Sequence, residues 1–595
     1  MRNAETVLTV IRERGRRGLP LEDIYRQLFN PQLYLCAYAR IYQNAGAMTR
    51  GTTSETADGM ALAKIEKLID DLRHERYRWM PARRTYIPKG QGKTRPLGIP
   101  TWSDKLLQEV IRSLLAAYYE PQFSDHSHGF RPARGCHSAL SAIKHTWGGT
   151  KWFIEGDIKG CFDRLDHQVL LSILREKLHD HRFLRLIENL LKAGYLECWN
   201  YHRTLSGSPQ GAIVSPILSN IYLDRLDRFV EQTLIPAYTR GTKRRDHPTY
   251  MKLINAKYYC LRQGRVKEAR ALEKQYQRLP SVDPIDPDYR RLRYLRYADD
   301  FLLGFAGTHA EAEEIKERLG EFLRDQLKLE LSPEKTLITH ATTEAARFLG
   351  YEIVCRHADS KHDQRGRRSI NGGIGLRVPA RVVEERCSLY MKEGKPRHRA
   401  ERIKDDAFTT INRYQSEYRG VVQYYLLAEN VYWFGRLHWV MQLSLLATLA
   451  AKYKSSVAKM YRKYAGRVET PDGPRKCLEL QVKRDGKPAL VARFGGIPLR
   501  QDKQAVLRDR IPSIWVERNE LIKRLVADEC EICGSEVNCE VHHVRKLADL
   551  QVEGRRAKPL WKQVMSARRR KTLVVCRACH TAIHQGKPTR QRAAA

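Results

Sequence analysis

The period of the apolar positions changes several times along the chain, and each change marks an element. Up to about residue 85, apolar residues recur at three and four spacing, as in LEDIYRQLFNPQLYLCAYARIY and ALAKIEKLIDDLRHERYRW. That spacing predicts a largely helical region. TYIPKGQGKTRPLGIPT then sets Pro, Gly and basic residues between short β-prone pieces, which predicts a basic hairpin or loop. KWFIEGDIKGCFDRLDH predicts a strand that breaks at Gly156-Asp157, with a helix following from Asp166. LSGSPQGAIVSPILSNIYLDRLDRFV reads as a Gly/Pro loop running into a helix, and residues about 232–290 as an inserted, basic helical pair. RYADDFLLGF, an amphipathic helix (AEAEEIKERLGEFLRDQL), a strand-like LELSPEKTLITH and ARFLGYEIV complete an alternation that suits an α+β sheet with helices on one face. A polar, Gly-rich linker is expected over 356–384, a basic helical unit over 385–465, a mixed segment over 466–526 and a small Cys/His-rich unit over 527–595.

One strand breaks its own pattern. In RYADDFLLGF, Tyr297, Ala298, Phe301, Leu302, Leu303 and Phe305 suit a packed sheet, but Asp299 and Asp300 do not. Adjacent carboxylates repel, and each costs several kcal/mol if buried alone. A hairpin turn is one reading, since Asp favours turns. The other places the strand that ends at Asp157 beside this one, so that three carboxylates meet at one edge. Such a site suits hard divalent cations such as Mg²⁺. Two ions about 3.5–4 Å apart would stabilise the attacking and leaving oxygens of an in-line phosphoryl displacement.

Charge sharpens that reading. Lys and Arg number 106 against 68 Asp and Glu, a net charge of +38 spread along the whole chain. Such an excess points to a polyanionic partner, nucleic acid above all, bound at several surfaces and weakened by salt. No apolar run reaches 18 residues, so no membrane span is expected. The N-terminus lacks the apolar core of a secretory signal, which favours the cytoplasm or nucleoid of a bacterium; an Arg-rich organelle transit peptide is countered by Glu5 and Glu13.

The motifs then fall in a recognisable order. KGQGKTRPLGIP, the strand ending in Asp157, SPQG at 208–211, YADD and FLGY at 348–351 resemble the polymerase core of reverse transcriptases over about residues 20–355. The resemblance implies right-hand fingers and palm, with residues 1–85 as a helical extension and 86–355 as the polymerase proper. It implies Asp157, Asp299 and Asp300 as catalytic Mg²⁺ ligands. Lys89 and Arg95 would meet the incoming triphosphate, and Phe162 would close on the sugar 2′ position. Gln210 would line the nucleotide pocket, and Lys335 would lie near the triphosphate. YRQLFNPQLYLCAYARIYQNAGAMTRG, HGFRPARGCHSAL and the inserted block are similar to group II intron-encoded reverse transcriptases in particular. Residues 414–464 resemble that family's maturase domain, a helical thumb that binds intron RNA. There Lys452, Lys454, Lys459 and Arg462 suit phosphate contacts. Tyr424, Tyr425 and Trp433 suit either base stacking or the core. Residues 466–526 occupy the place of the family's DNA-binding domain.

The last unit carries CEIC (Cys530, Cys533) and CRAC (Cys576, Cys579), two Cys-x-x-Cys knuckles whose four thiolates suit structural Zn²⁺. Cys539 lies near enough to confuse the assignment. EVHHV and CHTAIH add four histidines, and the unit resembles a ββα HNH nuclease. That resemblance implies His543 as general base and His542, His580 and His584 as ligands of one Mg²⁺ or similar ion. The central Asn of the motif is not evident; Thr572 stands in that region. The alternative is a DNA-binding zinc finger. The whole implies a protein that binds intron RNA and assists splicing, nicks double-stranded DNA and copies intron RNA with deoxynucleotides. The rival readings are a splicing factor with vestigial sites and a reverse transcriptase turned to repair or defence.

Overall fold

The structure, a computed structural model, describes residues 3–589 except 45, 91, 198–199, 203–206, 208–210, 284–285, 359–360, 362, 365–369, 485–486, 508–518 and 551–556. Its centre is a four-stranded antiparallel sheet. Arg291–Tyr297 pairs with Asp300–Ala306, which pairs with Trp152–Asp157, and Ile338–His340 closes the other edge. Of LELSPEKTLITH only those last three residues form a strand; Leu331, further upstream, makes an isolated bridge to Ile158.

Helices cover the sheet where the apolar spacing predicts them. His167–Arg175 is capped by the Asp166 side chain on the Val169 amide. His309–Leu327 starts with a Thr308/Glu311 capping box. Ser215–Phe229 lies across the sheet with most of its length buried. Upstream, Ala82–Gly90 and Lys93–Ile99 form the expected basic hairpin. The inserted pair consists of Pro248–Arg262 and Val266–Tyr276.

The register puts the awkward carboxylates at a turn. Tyr297 pairs with Asp300 across the hairpin, leaving Ala298 and Asp299 as its two-residue connection, with Ala298 at φ 56°. Asp300 is also the register partner of Asp157 on the neighbouring strand. Both readings of the tetrapeptide hold: the turn is the device that brings the carboxylates to the sheet end. Gly156, one residue before, is needed because a Cβ there would stand 2.1 Å from the Phe301 ring.

What holds the turn is a buried guanidinium. Arg296 and Asp227 are both wholly buried and form an ion pair at 2.6 Å. All five Arg296 N–H donors find acceptors: two go to the Asp227 carboxylate, and one each to Ser127 Oγ, Asn220 Oδ1 and the Ala298 carbonyl. Tyr294 Oη also donates to Asp227, at 2.7 Å. The HSHGF stretch runs alongside: the His128 amide donates to the Arg296 carbonyl, and the Arg296 amide to that of His126, both at 2.9 Å. Gly129 is required there, since a Cβ would lie 2.3 Å from the Ala298 nitrogen.

Downstream, packing redraws two expected boundaries. Within the proposed 356–384 linker, Asn371–Arg377 is a strand paired with Tyr351–His357, and a helix begins at Ala380. Apolar residues on alternate positions (Ile374, Leu376, Val378) are buried, so Gly-rich composition concealed a packed strand. The basic unit contains helices Ala407–Tyr424, Phe434–Lys452 and Val457–Tyr464. A three-stranded sheet, Ala465–Val468, Arg475–Arg484 and Lys487–Gly495, packs on them. Buried Phe494 meets Tyr414 and Tyr418 and stacks on His438, centroids 5.3 Å apart. Residue 466 is therefore not a packing boundary.

The final unit is a ββα arrangement: antiparallel Cys539–His543 and Thr572–Cys576, then helix Arg577–His584. Its core is continuous with that of the N-terminal helices and the central sheet. Removing one partner of a buried ion pair costs about 3–5 kcal/mol. Asp227→Ala will accordingly loosen the hairpin, read as faster hydrogen exchange across residues 291–306; exchange at the wild-type rate would show the pair to be dispensable.

Candidate functional site

The three carboxylates occupy one sheet end because of register and turn together. Asp157 and Asp300 face each other across the ladder, and Asp299 projects from the turn between the hairpin strands. Burial first, then the Asp299 and Asp157 charges, push the Asp300 carboxyl up to about 7. Burial and the Asp157 charge also raise Asp299, while the Arg95 and Lys335 charges lower it. Lys335 Nζ donates to Asp157 Oδ2 at 2.9 Å, which raises the lysine in turn. An all-oxygen donor set with crowded negative charge fits a hard dication, and Asp157, Asp299 and Asp300 would hold it. Such an ion, when bound, polarises phosphate oxygens.

Of the other expected polymerase residues, Arg95 and Lys335 bring positive charge to this end. Arg95, on the outer strand of the basic hairpin opposite Ile87, is exposed, and its charge reaches Asp299. Phe162 is half-buried in the short helix Cys161–Arg164, its ring edge-on to exposed Phe130 at 6.3 Å. Gln210 lies outside the described residues, as does the side chain of Lys89.

The basic and aromatic residues of the unit over 385–465 divide. Lys454, Lys459 and Arg462 are exposed, but Lys452 donates to the Ile403 carbonyl at 3.0 Å and is half-buried. Tyr424 and Tyr425 are not free to stack on bases. Their hydroxyls donate to the Leu349 and Gly350 carbonyls at 2.7 and 3.0 Å, and Tyr351 returns a bond to the Tyr424 carbonyl. They fix the thumb to the FLGY turn. Trp433, by contrast, is 41% exposed.

In the last unit two clusters are built. The Sγ atoms of Cys530, Cys533, Cys576 and Cys579 lie within 4.8 Å of one another. Cys533 is 3.7 Å from both Cys576 and Cys579. Tetrahedral Zn²⁺ with bonds near 2.3 Å sets its corners about 3.8 Å apart, so the thiols fit it. Cys539 is not among them; its thiol points to the Asp528 and Ser535 carbonyls. The second cluster is His542, His580, His584 and, unexpectedly, Asp58. Three imidazoles and one carboxylate suit a borderline transition-metal ion better than the Mg²⁺ expected for the nuclease.

His543 stands apart. Strand alternation turns its ring to the face opposite His542. There it lines a cavity of about 940 Å³ with Tyr42, Arg545, Lys546 and Lys571. Burial lowers it to about 4, so it is neutral near pH 7. Thr572 is its register partner and takes a hydrogen bond from Arg524 rather than orienting the imidazole.

Sequence reasoning missed Arg296, Asp227, Glu540 and Asp58. Arg296 directly follows buried Leu295 and precedes the YADD turn, and a wholly buried arginine needs a buried partner. Glu540 stands two residues before His542, hence on the same strand face. Nothing local marks Asp58.

Three carboxylates at one sheet end and a ββα unit with two ligand clusters suit a nucleic-acid polymerase joined to a nuclease, and comparison with known proteins agrees. Residues 87–353 match the reverse transcriptase (RNA-dependent DNA polymerase) family, 382–491 the type II intron maturase family and 530–580 the AI2M/AI1M-like HNH endonuclease family. The chain is 39% identical over 589 residues to the group II intron-encoded protein LtrA of Lactococcus lactis subsp. cremoris, spanning 95% of this chain and 96% of that one. It is 31% identical to the putative COX1/OXI3 intron 1 protein of Saccharomyces cerevisiae, spanning 94% and 68%. It is 32% identical to a 91 kDa protein in the cob intron of Schizosaccharomyces pombe, spanning 95% and 70%. The chain belongs to the group II intron-encoded proteins: it is an RNA-directed DNA polymerase and an HNH endonuclease with a maturase unit.

A carboxyl that titrates near 7 must lose its proton to bind a cation. Mg²⁺ binding to these carboxylates will therefore release about half a proton at pH 7 and tighten as pH rises from about 6 to about 8. Calorimetry in buffers of different ionisation enthalpy reads this directly; no proton release would mean Asp300 is already ionised.

Proposed function

We propose that the three units act in one sequence on two nucleic acids, as a ribonucleoprotein with the protein's own intron RNA. The supporting observation is the placement of Asp157 opposite Asp300 with Asp299 at the turn, beside the charges of Arg95 and Lys335. There Mg²⁺, held by the three carboxylates, would neutralise the phosphates of a deoxynucleotide. Arg95 and Lys335 would hold the leaving pyrophosphate, since fixed positive charge matters most where negative charge develops. Lys89 and Gln210 would complete the nucleotide pocket, and Phe162 would close on the sugar.

Lys454, Lys459 and Arg462 give the thumb a phosphate-binding surface for intron RNA, and the 466–526 segment would engage the DNA target. The exposed basic residues of its Arg475–Arg484 strand support that. Zn²⁺ on the four cysteines would staple the two knuckles of the nuclease unit, adding to the core it shares with the N-terminal helices. The cavity beside His543, lined by Lys546 and Lys571, would take a DNA strand, with His543 as the base that activates water. The nick would supply the 3′ end from which the intron RNA is copied. No helix among the described residues is long and apolar enough to cross a membrane, and a partner set of RNA and DNA suits a compartment that holds both.

Two measurements separate the activities. Asp299→Ala with Asp300→Ala will lower Mg²⁺-dependent synthesis on poly(rA)/oligo(dT) by at least about a thousandfold. Intron RNA affinity will stay at the wild-type level; loss of RNA binding as well would assign the pair a structural role. His543→Ala will abolish DNA nicking while leaving extension of a pre-nicked target intact. Because burial holds His543 near 4, single-turnover nicking at saturating metal will keep its rate down to about pH 5. An acid limb near 6.5, the value of an ordinary histidine, would point to another base.

A further inference from the structure

The N-terminal region docks onto the nuclease through backbone. The Val541 amide donates to the Met60 carbonyl, and the Gly59 amide to the Val541 carbonyl, both at 2.9 Å. Residues 58–60 thus lie along the free edge of the nuclease hairpin. The residue that begins this contact is Asp58, whose side chain is 14% exposed and reaches into the histidine cluster. Its Oδ1 accepts the His543 backbone amide at 2.7 Å and lies 3.3 Å from His580 Nε2 and 3.4 Å from His542 Nδ1. Its Oδ2 is 2.8 Å from His584 Nε2, which is 3.1 Å from His580 Nε2.

Three further observations point to a cation at the centre. His542 is buried, with a side chain 6% exposed, yet neither ring nitrogen has a hydrogen-bond partner among the described residues. His580 turns Nδ1 to Glu540 Oε2 at 2.7 Å. This carboxylate–histidine pairing fixes the tautomer that presents Nε2 to a metal. The spacings of 2.8–3.4 Å around Asp58 bracket the separation of about 3.4 Å between corners of a tetrahedron with bonds of 2.0–2.1 Å. The cation would be a first-row divalent ion that accepts imidazole, such as Mn²⁺, Co²⁺ or Zn²⁺.

We propose that Asp58 is the fourth ligand of the nuclease ion, so that one cation bonds the N-terminal region of the polymerase to the nuclease. The inference rests on reading His542, His580 and His584 as metal ligands. It makes the ion a clamp between two parts of the chain as well as a part of the nuclease.

The test uses the full-length protein with zinc retained on the four cysteines and Co²⁺ as the probe, followed by its visible absorption. Asp58→Asn keeps the shape and the acceptor for the His543 amide but is a poor ligand. It will weaken Co²⁺ binding about tenfold or more and shift the absorption band, and Asp58→Glu will restore part of both. In the wild type, Co²⁺ will slow hydrogen exchange at the Gly59 and Val541 amides; in Asp58→Asn it will not. Wild-type affinity and spectrum in Asp58→Asn, with binding lost in His584→Ala, would overturn the inference while leaving the three-histidine reading intact. Unchanged binding in His584→Ala would overturn that reading, and the inference with it. His543→Ala serves as the control that loses nicking without losing Co²⁺.

Discussion

A single buried ion pair sets the geometry on which the polymerase site depends. Burying an arginine and an aspartate is unfavourable unless every donor and acceptor is matched. Arg296 and Asp227 meet that condition, because the guanidinium's five donors end on Asp227, Ser127, Asn220 and Ala298. Those partners come from three separate stretches: the HSHGF segment, the helix Ser215–Phe229 and the hairpin itself. The pair is a joint, and its bond to the Ala298 carbonyl holds the turn from which Asp299 projects. A left-handed alanine at that turn costs free energy, and the surrounding bonds offset it.

The sequence made much of this legible, for identifiable reasons. The carboxylates announced themselves by breaking an apolar pattern, and the Cys-x-x-Cys knuckles by spacing that few structural roles other than metal binding require. Helices such as His309–Leu327 followed from periodicity and capping. Other features depended on distance. Asn371–Arg377 was hidden because Gly-rich, polar composition resembles a linker until a partner strand covers its apolar face. Tyr424 and Tyr425 offered both stacking and packing, and only the FLGY carbonyls decided between them. The 466 boundary was drawn where the helical pattern ends and the resemblance places a DNA-binding domain, whereas Phe494 packs back on Tyr414 and Tyr418. Asp58 lay beyond reach: no local pattern ties a residue near the start of the chain to histidines near its end.

Charge is divided between these tasks. Some basic residues are consumed internally, as Lys452 is by the Ile403 carbonyl and Arg296 by Asp227. Others, such as Lys454, Lys459 and Arg462, remain exposed. An internal ion pair such as Arg296–Asp227 adds nothing to the net charge of +38, whereas Lys452 counts in it while bonded to a backbone carbonyl. The local balance matters more at the palm, where Lys335 sits on Asp157 and the field of Arg95 reaches Asp299.

The contact of Asp58 with His543 spans 485 residues of sequence. A ribosome adding 5–20 residues per second needs about 25–100 s to make that length. For all of that time residues 58–60 have emerged but the strand they pair with has not. The apolar residues that the N-terminal region shares with the nuclease core, such as Met60 and Ala57, must wait uncovered or be shielded by a chaperone. Nascent intron RNA cannot substitute, because the missing partner is apolar backbone-paired surface rather than charge. The molecule finishes folding where it began, and a chain stopped before its last seventy or so residues would leave residues 58–60 without the strand they pair with.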